Sequence, residues 1–188
     1  MFISFLITIL INPFSLIPWG IIVIIIIGLA FHWFETAILR GITLGGLQML
    51  YFFLGASTGN ISLGIILLAF MFFFAMFGGK GVTDIRDFPQ DKETPVKTFP
   101  KAYGIKKTAQ ITAVSLIIAY ILSLSVYFTR EFSLIYLYLT IIFILTGILI
   151  TALLLKKASP EFALRITMVY MMGQGTMICL AIILGKII

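Results

Sequence analysis

Apolar runs about as long as a bilayer is thick dominate this sequence, and they exclude most folds at once. Six of them are Leu16–Phe34, Gly41–Thr58, Ile61–Gly79, Thr108–Phe128, Phe132–Leu155 and Ile166–Gly185. A helix needs about 20 apolar residues, within a range of about 17–25, to cross the hydrocarbon core. No water is present there, so each backbone N–H and C=O must be satisfied inside the segment. A seventh run, Met1–Ile11, is stopped by Asn12-Pro13. At about 1.5 Å per residue it covers only about half the core. The chain is 61% hydrophobic and 11% charged, whereas a soluble domain is nearer half apolar and a quarter charged. Its mean hydropathy is +1.18. The expected fold class is all-α, a polytopic membrane helical bundle of about seven segments forming one domain, 1–188. No basic stretch precedes the first apolar residues, so no cleavable signal peptide is expected.

Charge is placed unevenly along this frame. Of the 13 Lys and Arg residues, all but Arg130 and Lys186 fall in three connections that share one side of the membrane if the runs alternate. Arg40 lies in 35–40. Lys80, Arg86, Lys92, Lys97, Lys101, Lys106 and Lys107 lie in 80–107, and Lys156, Lys157 and Arg165 in 156–165. The positive-inside rule puts these loops in the cytoplasm and the C-terminus on the opposite side. The net charge of +6 then reports topology, and membrane lipids rather than nucleic acid are the expected surroundings. The lone Cys179 makes no intramolecular disulfide and reads as a small buried hydrophobe.

The 80–107 connection holds a chemical pattern. Asp84, Asp87 and Asp91 are spaced i, i+3, i+7, which on a continuous helix places three carboxylates on one face. Like charges so placed repel unless a cation joins them. Magnesium (Mg2+) suits such a place, because it binds through one or two carboxylates and fills its shell with waters and phosphate oxygens. Lysines and arginines close by would meet the phosphates. Two readings stay open on spacing alone: a metal–diphosphate site, or a solvated loop whose charges set topology. Pro89 is expected to end or kink the helix near Phe88. Asp91 would then start a loop or a new short helix, and the shared face would be approximate.

These residues resemble the second aspartate-rich motif of the UbiA superfamily of intramembrane prenyltransferases. That motif reads roughly D-x-x-D-x-x-x-D, a basic residue, then T-L-P and a glycine. Here it is Asp84, Asp87, Asp91 and Lys92, then Thr98-Phe99-Pro100 and Gly104. The pattern of apolar runs around the motif matches too. The resemblance implies an enzyme, a prenyltransferase that moves a prenyl group from prenyl diphosphate to a hydrophobic acceptor, aromatic or another lipid, with Mg2+ as cofactor. It implies Asp84, Asp87 and Asp91 as metal ligands. Lys92, Lys97, Arg86, Lys80, Lys101 and Arg40 become candidates for binding the diphosphate.

The resemblance also implies nine helices and two motifs, of which this sequence carries one. The seven runs would be helices three to nine, with two N-terminal helices and the first motif missing. Three readings follow: a truncated chain inactive alone, one half of a split enzyme completed by a second polypeptide, or a non-catalytic isoprenoid-binding relative. An unrelated transporter-like protein is the alternative from another class, although no charge sits in the middle of a run to mark an ion path. Membrane alcohol phosphatidyltransferases are excluded, since their D-G-x-x-A-R motif is absent. The family's Y-x-x-x-K-D pattern falls on Gly79 and Thr83, so Lys80, one turn from Asp84, is the available substitute.

The remaining features carry plainer readings. Phe72, Phe73, Phe74 and Phe77 precede the motif, and packing or lipid contact explains them better than cation stabilisation. His32, Gln48, Gln110 and Gln174 fit interhelical hydrogen bonds or interface positions, and Gly173 and Gly175 fit close helix packing.

Overall fold

The structure, a computed structural model, describes residues 16–31, 33–34, 36–56, 61–167 and 173–186. Among these, eight helices follow one another: α1 (Leu16–Ala30), α2 (Ala37–Ala56), α3 (Leu63–Asp91), α4 (Phe99–Tyr103), α5 (Ile105–Tyr127), α6 (Leu134–Lys156), α7 (Pro160–Thr167) and α8 (Gly175–Lys186). The all-α expectation holds. Four of them, α2, α3, α5 and α6, are long and apolar enough to cross a membrane, and α1 and α8 are shorter apolar helices. The protein is an integral, multi-pass membrane protein. The short run Met1–Ile11 lies outside the described residues. So does the middle of the run expected at Ile166–Gly185, whose ends belong to α7 and α8.

The centre of the architecture is α3. Its 29 residues make a rod of about 43 Å, against a hydrocarbon core of about 30 Å. The apolar part of its sequence ends at Gly79, and the last three turns carry its charged residues. At the other end, Ser62 caps the helix, its hydroxyl accepting the Ile65 N–H at 3.4 Å. Glu131, in the α5–α6 connection, accepts the Gly64 N–H at 2.9 Å and the Ser62 hydroxyl. A carboxylate at a helix N-terminus satisfies orphan N–H groups and faces the positive end of the helix dipole.

Two sequence expectations are corrected here. Pro89 does not end the helix, since α3 runs through it to Asp91. Nor is 80–107 a loop: residues 80–91 continue α3, α4 and the start of α5 occupy most of the rest, and the non-helical connection is 92–98 with Gly104. The physical reason is packing. Val82 and Ile85, 1% and 0% exposed, lock into Ala109, Leu154, Ala163 and Ile166 from α5, α6 and α7. A proline in the final turn removes one backbone bond, and this contact holds the helix together regardless.

The closest helix pair is α3 with α5. A Cβ on Gly81 would strike the Thr112 hydroxyl, and one on Gly78 the Leu116 side chain. Small residues permit this approach, which matters in a bilayer because packing rather than hydrophobic exclusion joins helices there. Side-chain to backbone bonds join α5 to α3 and, separately, α6 to α5. Ser115 Oγ donates to the Phe74 carbonyl at 2.8 Å, and the Tyr136 hydroxyl to the Ser123 carbonyl at 2.7 Å.

Candidate functional site

The aspartates occupy the C-terminal end of α3, and each has a different environment. Asp84 is buried, at 3% exposure. Its Oδ1 pairs with Lys80, one turn earlier, and its Oδ2 accepts the backbone N–H of Phe99 at 3.2 Å. Both oxygens are therefore engaged, and the carboxylate ties α3 to the start of α4. The i, i+4 spacing of Lys80 and Asp84 was the available sequence signal for this pair.

Asp87, half-buried, takes a two-pronged contact from its neighbour. Arg86 Nε and Nη2 donate to its two oxygens at 2.6 and 2.8 Å. That hydrogen bond from Arg86 outweighs the opposing effect of burial and holds the Asp87 carboxyl below its ordinary range. Asp91 closes the helix, where its backbone carbonyl accepts the Thr94 N–H at 3.1 Å and the Thr94 hydroxyl at 2.9 Å. Among the described residues, no Lys or Arg forms an ion pair with the Asp91 carboxylate. Because α3 is continuous, the three aspartates do share one face, more fully than the proline led one to expect.

Gly104 sets how the chain leaves this site. Its φ of 79° and ψ of 157° lie in a region that side chains disfavour. The turn lets α5 start one residue after α4 ends. Thr98 stands at the N-cap of α4 without a side-chain capping bond. Its buried hydroxyl has no hydrogen-bond partner among the described residues.

The cations divide by role. Lys80 and Arg86 are paired with the aspartates. Lys101 Nζ donates to the Thr94 and Val96 carbonyls, at 2.5 and 3.1 Å, and so ties down the 92–98 connection. Lys92 is exposed, with its ammonium 5.1 Å from the centre of the Phe88 ring, and Lys97 is exposed. Arg40 sits in the first turn of α2 rather than in a loop. The next residue, Gly41, lies against Phe77 and Phe99, so Arg40 belongs to the same end of the bundle as the aspartates.

Two hollows adjoin this end. A cavity of about 310 Å³ lies between α2, α3, α6 and the start of α8, lined by Gln48, Phe72, Gly79, Phe143, Gln174 and Cys179 among others. Gly79, the lining residue nearest the motif in sequence, immediately precedes Lys80. The second is an apolar groove of about 560 Å³ between α2, α3 and α5, lined by Phe73, Phe74, Phe77, Lys107 and Gln110 among others. The phenylalanine run thus splits, with Phe72 facing the cavity and the other three the groove. Two plain readings change, and a third is not tested. Cys179 is exposed rather than buried. Among the described residues, Gly173 and Gly175 have no close neighbour where a Cβ would stand, so no close packing is seen there. His32 lies outside the described residues.

The metal question is one of fit. No group of three or more His, Cys, Asp or Glu side chains converges among the described residues. A magnesium ion needs only one or two carboxylates from protein. The Asp91 carboxylate, without an ion pair among the described residues, fits that donor set, and Asp87 joins it only if it releases an oxygen from Arg86. Asp84 is available only if it releases Lys80 or Phe99.

A helical membrane bundle with an aspartate-bearing helix end beside an apolar cavity resembles a solved intramembrane prenyltransferase, digeranylgeranylglyceryl phosphate synthase in membranes. The TM-score is 0.87 and the identity 26%, over 97% of this chain and 64% of that one. In sequence it is 35% identical, over 107 residues, to digeranylgeranylglyceryl phosphate synthase of Methanosphaera stadtmanae, covering 57% of this chain and 36% of the relative. The chain thus spans less than two thirds of the length of either protein. No family model matches it. The resemblance to the UbiA superfamily is borne out in both sequence and fold.

Proposed function

We propose that the chain takes part in magnesium-dependent prenyl transfer from prenyl diphosphate to a lipid-soluble acceptor. The relatives are named for digeranylgeranylglyceryl phosphate, and a glycerol phosphate lipid is the acceptor class we adopt from that name. One observation carries the reading: an unbroken α3 sets Asp84, Asp87 and Asp91 on one face, one to three turns past Gly79, a residue that lines an apolar cavity.

In this reading Asp87 and Asp91 hold the metal, and Asp84 holds the frame. Magnesium supplies Lewis-acid polarisation of the leaving diphosphate. Lys92, Lys97 and Arg86 stabilise charge growing on the diphosphate oxygens. Lys80 and Arg40 border them, and Lys101 keeps the 92–98 connection closed. The bond from prenyl carbon to diphosphate oxygen breaks, with its electron pair leaving on the diphosphate. The acceptor atom bonds to that carbon, and its proton passes to the released diphosphate. The cavity holds the chain and keeps water from the electron-poor carbon. We place the lysine-rich end in the cytoplasm by the positive-inside rule.

The resemblance assigns the rest of the metal shell to a first motif that these 188 residues do not carry. The isolated chain is therefore expected to bind without transferring. The test is a titration of the purified chain with magnesium and prenyl diphosphate, run beside Asp87→Asn. Equal affinity of the two proteins would sink the site assignment, and detectable transfer by the isolated chain would refute the expectation of inactivity.

A further inference from the structure

The groove between α2, α3 and α5 lies across α3 from the cavity. Phe73, Phe74 and Phe77 line the groove, whereas Phe72, Ala75, Met76 and Gly79 line the cavity. At about 3.6 residues per turn the two sets point in nearly opposite directions. The groove is thus distinct from the space proposed for prenyl transfer, and its occupant does not depend on that reaction. Its floor is closed where Ser115 Oγ donates to the Phe74 carbonyl at 2.8 Å.

Polarity falls along the α5 wall. Lys107, Gln110, Ile111, Val114 and Ile118 line it at helical spacing, so one stripe runs from ammonium through amide to hydrocarbon. From Lys107 to Ile118 the stripe rises about 16 Å, close to the depth of one leaflet of the hydrocarbon core, about 15 Å. The groove volume of about 560 Å³ falls within the range of ligand sites, about 300–1,000 Å³. Ile38, Ile42 and Val114 on its walls are exposed, and apolar surface left open in this way marks contact with a membrane or a partner.

The polar end of the groove carries an unbalanced positive charge. Lys107 is exposed. Among the described residues it forms no ion pair, and no Asp or Glu lines the groove. With Lys106 it stands in the first turn of α5, which holds no acidic residue. Cations there oppose the positive end of the helix dipole, and an anion relieves both. The Lys107 ammonium lies 5.9 Å from the centre of the Tyr103 ring, and tyrosine is enriched at headgroup depth. Gln110, exposed one turn deeper, offers amide hydrogens to the glycerol oxygens that lie below a lipid phosphate.

We propose that this groove binds one anionic phospholipid of the surrounding leaflet, with its phosphate on Lys107 and a hydrocarbon chain along Phe73, Phe77, Val114 and Ile118. A bilayer lipid fits where a soluble phosphate does not, because the wall below Gln110 presents hydrocarbon. The hydroxyl there, on Ser115, is committed to Phe74.

The test uses the purified full chain in detergent micelles, with phosphatidylglycerol and phosphatidylcholine of identical chains as probes. Native mass spectrometry counts the lipid retained. Both probes carry a phosphate, and only phosphatidylglycerol has a net charge. The wild type should favour it by about fivefold. Lys107→Gln should lose that preference. Lys157→Gln, which removes an exposed cation outside the groove, should keep it. Val114→Trp fills the groove from an exposed position and should lower retention of both lipids. Equal retention of the two lipids by the wild type overturns the proposal, as does a preference that survives Lys107→Gln. Equal losses in Lys107→Gln and Lys157→Gln would assign the preference to diffuse surface charge and overturn it too. Unchanged retention in Val114→Trp would take the lipid out of the groove, and a dimer that Val114→Trp dissociates would give the groove to a second copy. Either result overturns the proposal.

Discussion

The buried carboxylate of Asp84 accepts the backbone N–H of Phe99, fifteen residues later, at 3.2 Å. This one bond converts the first aspartate of the motif from a free ligand into the joint between α3 and α4. Lys80 completes the joint on the other oxygen, and the proposed metal site is therefore built on Asp87 and Asp91 instead.

Asp84→Ala should therefore act first on stability. It strands the Phe99 N–H and deprives Lys80, 21% exposed, of its partner. The expected loss is about 1–3 kcal/mol, read as a lowered thermal midpoint in detergent. Asp84→Asn keeps an acceptor for Phe99 and should lose less. Equal midpoints for wild type and the alanine variant would return Asp84 to the role of free ligand.

Asp87→Asn should separate binding from stability. Its pairing with Arg86 is partly exposed, and such pairs contribute at most about 1 kcal/mol, so the midpoint should hardly move. Magnesium-dependent binding of prenyl diphosphate should fall by at least about tenfold, a loss of about 1.4 kcal/mol in binding. Chelating the metal from the wild-type chain should give the same loss, and calorimetric titration reads both.

Glu131 predicts a pH dependence at the opposite end of α3. Burial pushes its carboxyl up, but the Ser62 and Gly64 hydrogen bonds and the Lys186 charge outweigh this and leave it below the ordinary value of 4.5. A depressed carboxyl stabilises the fold fully above its unfolded pKa and ceases to as pH falls through the folded one. Wild type should thus exceed Glu131→Gln in stability at neutral pH, with the gap closing below about pH 4.5. A gap that stays constant down to pH 3 would refute the linkage.

Gly81→Ala should push α3 from α5, since its new Cβ meets the Thr112 hydroxyl. Overpacking of this kind costs about 1–3 kcal/mol. Thr112→Ser, which keeps the hydroxyl, should not rescue it, whereas Thr112→Ala should recover part of the loss. Thermal midpoints of the double variants decide between the two.

Much of this was legible along the chain. Apolar runs of bilayer length are compelled to be helices, because each backbone group there must bond within its own segment. Asp84, Asp87 and Asp91 carry their helical face in their spacing, and Thr98, Pro100 and Gly104 mark the turn that follows. What stayed hidden depended on partners remote in sequence. Pro89 reads as a helix stop until Val82 and Ile85 are seen locked against α5, α6 and α7. Gln174 reads as an ordinary interhelical amide until Phe143 and Thr146 claim its nitrogen and leave its oxygen buried without a partner among the described residues.

Membrane residence, helical class and the composition of the charged helix end were thus determined by sequence alone, since they follow from local backbone chemistry and spacing. Tertiary structure decided which carboxylate is an anchor, where α3 ends and which polar atom lacks a partner. Those outcomes depend on which groups meet across helices, and burial magnifies the consequence of each meeting.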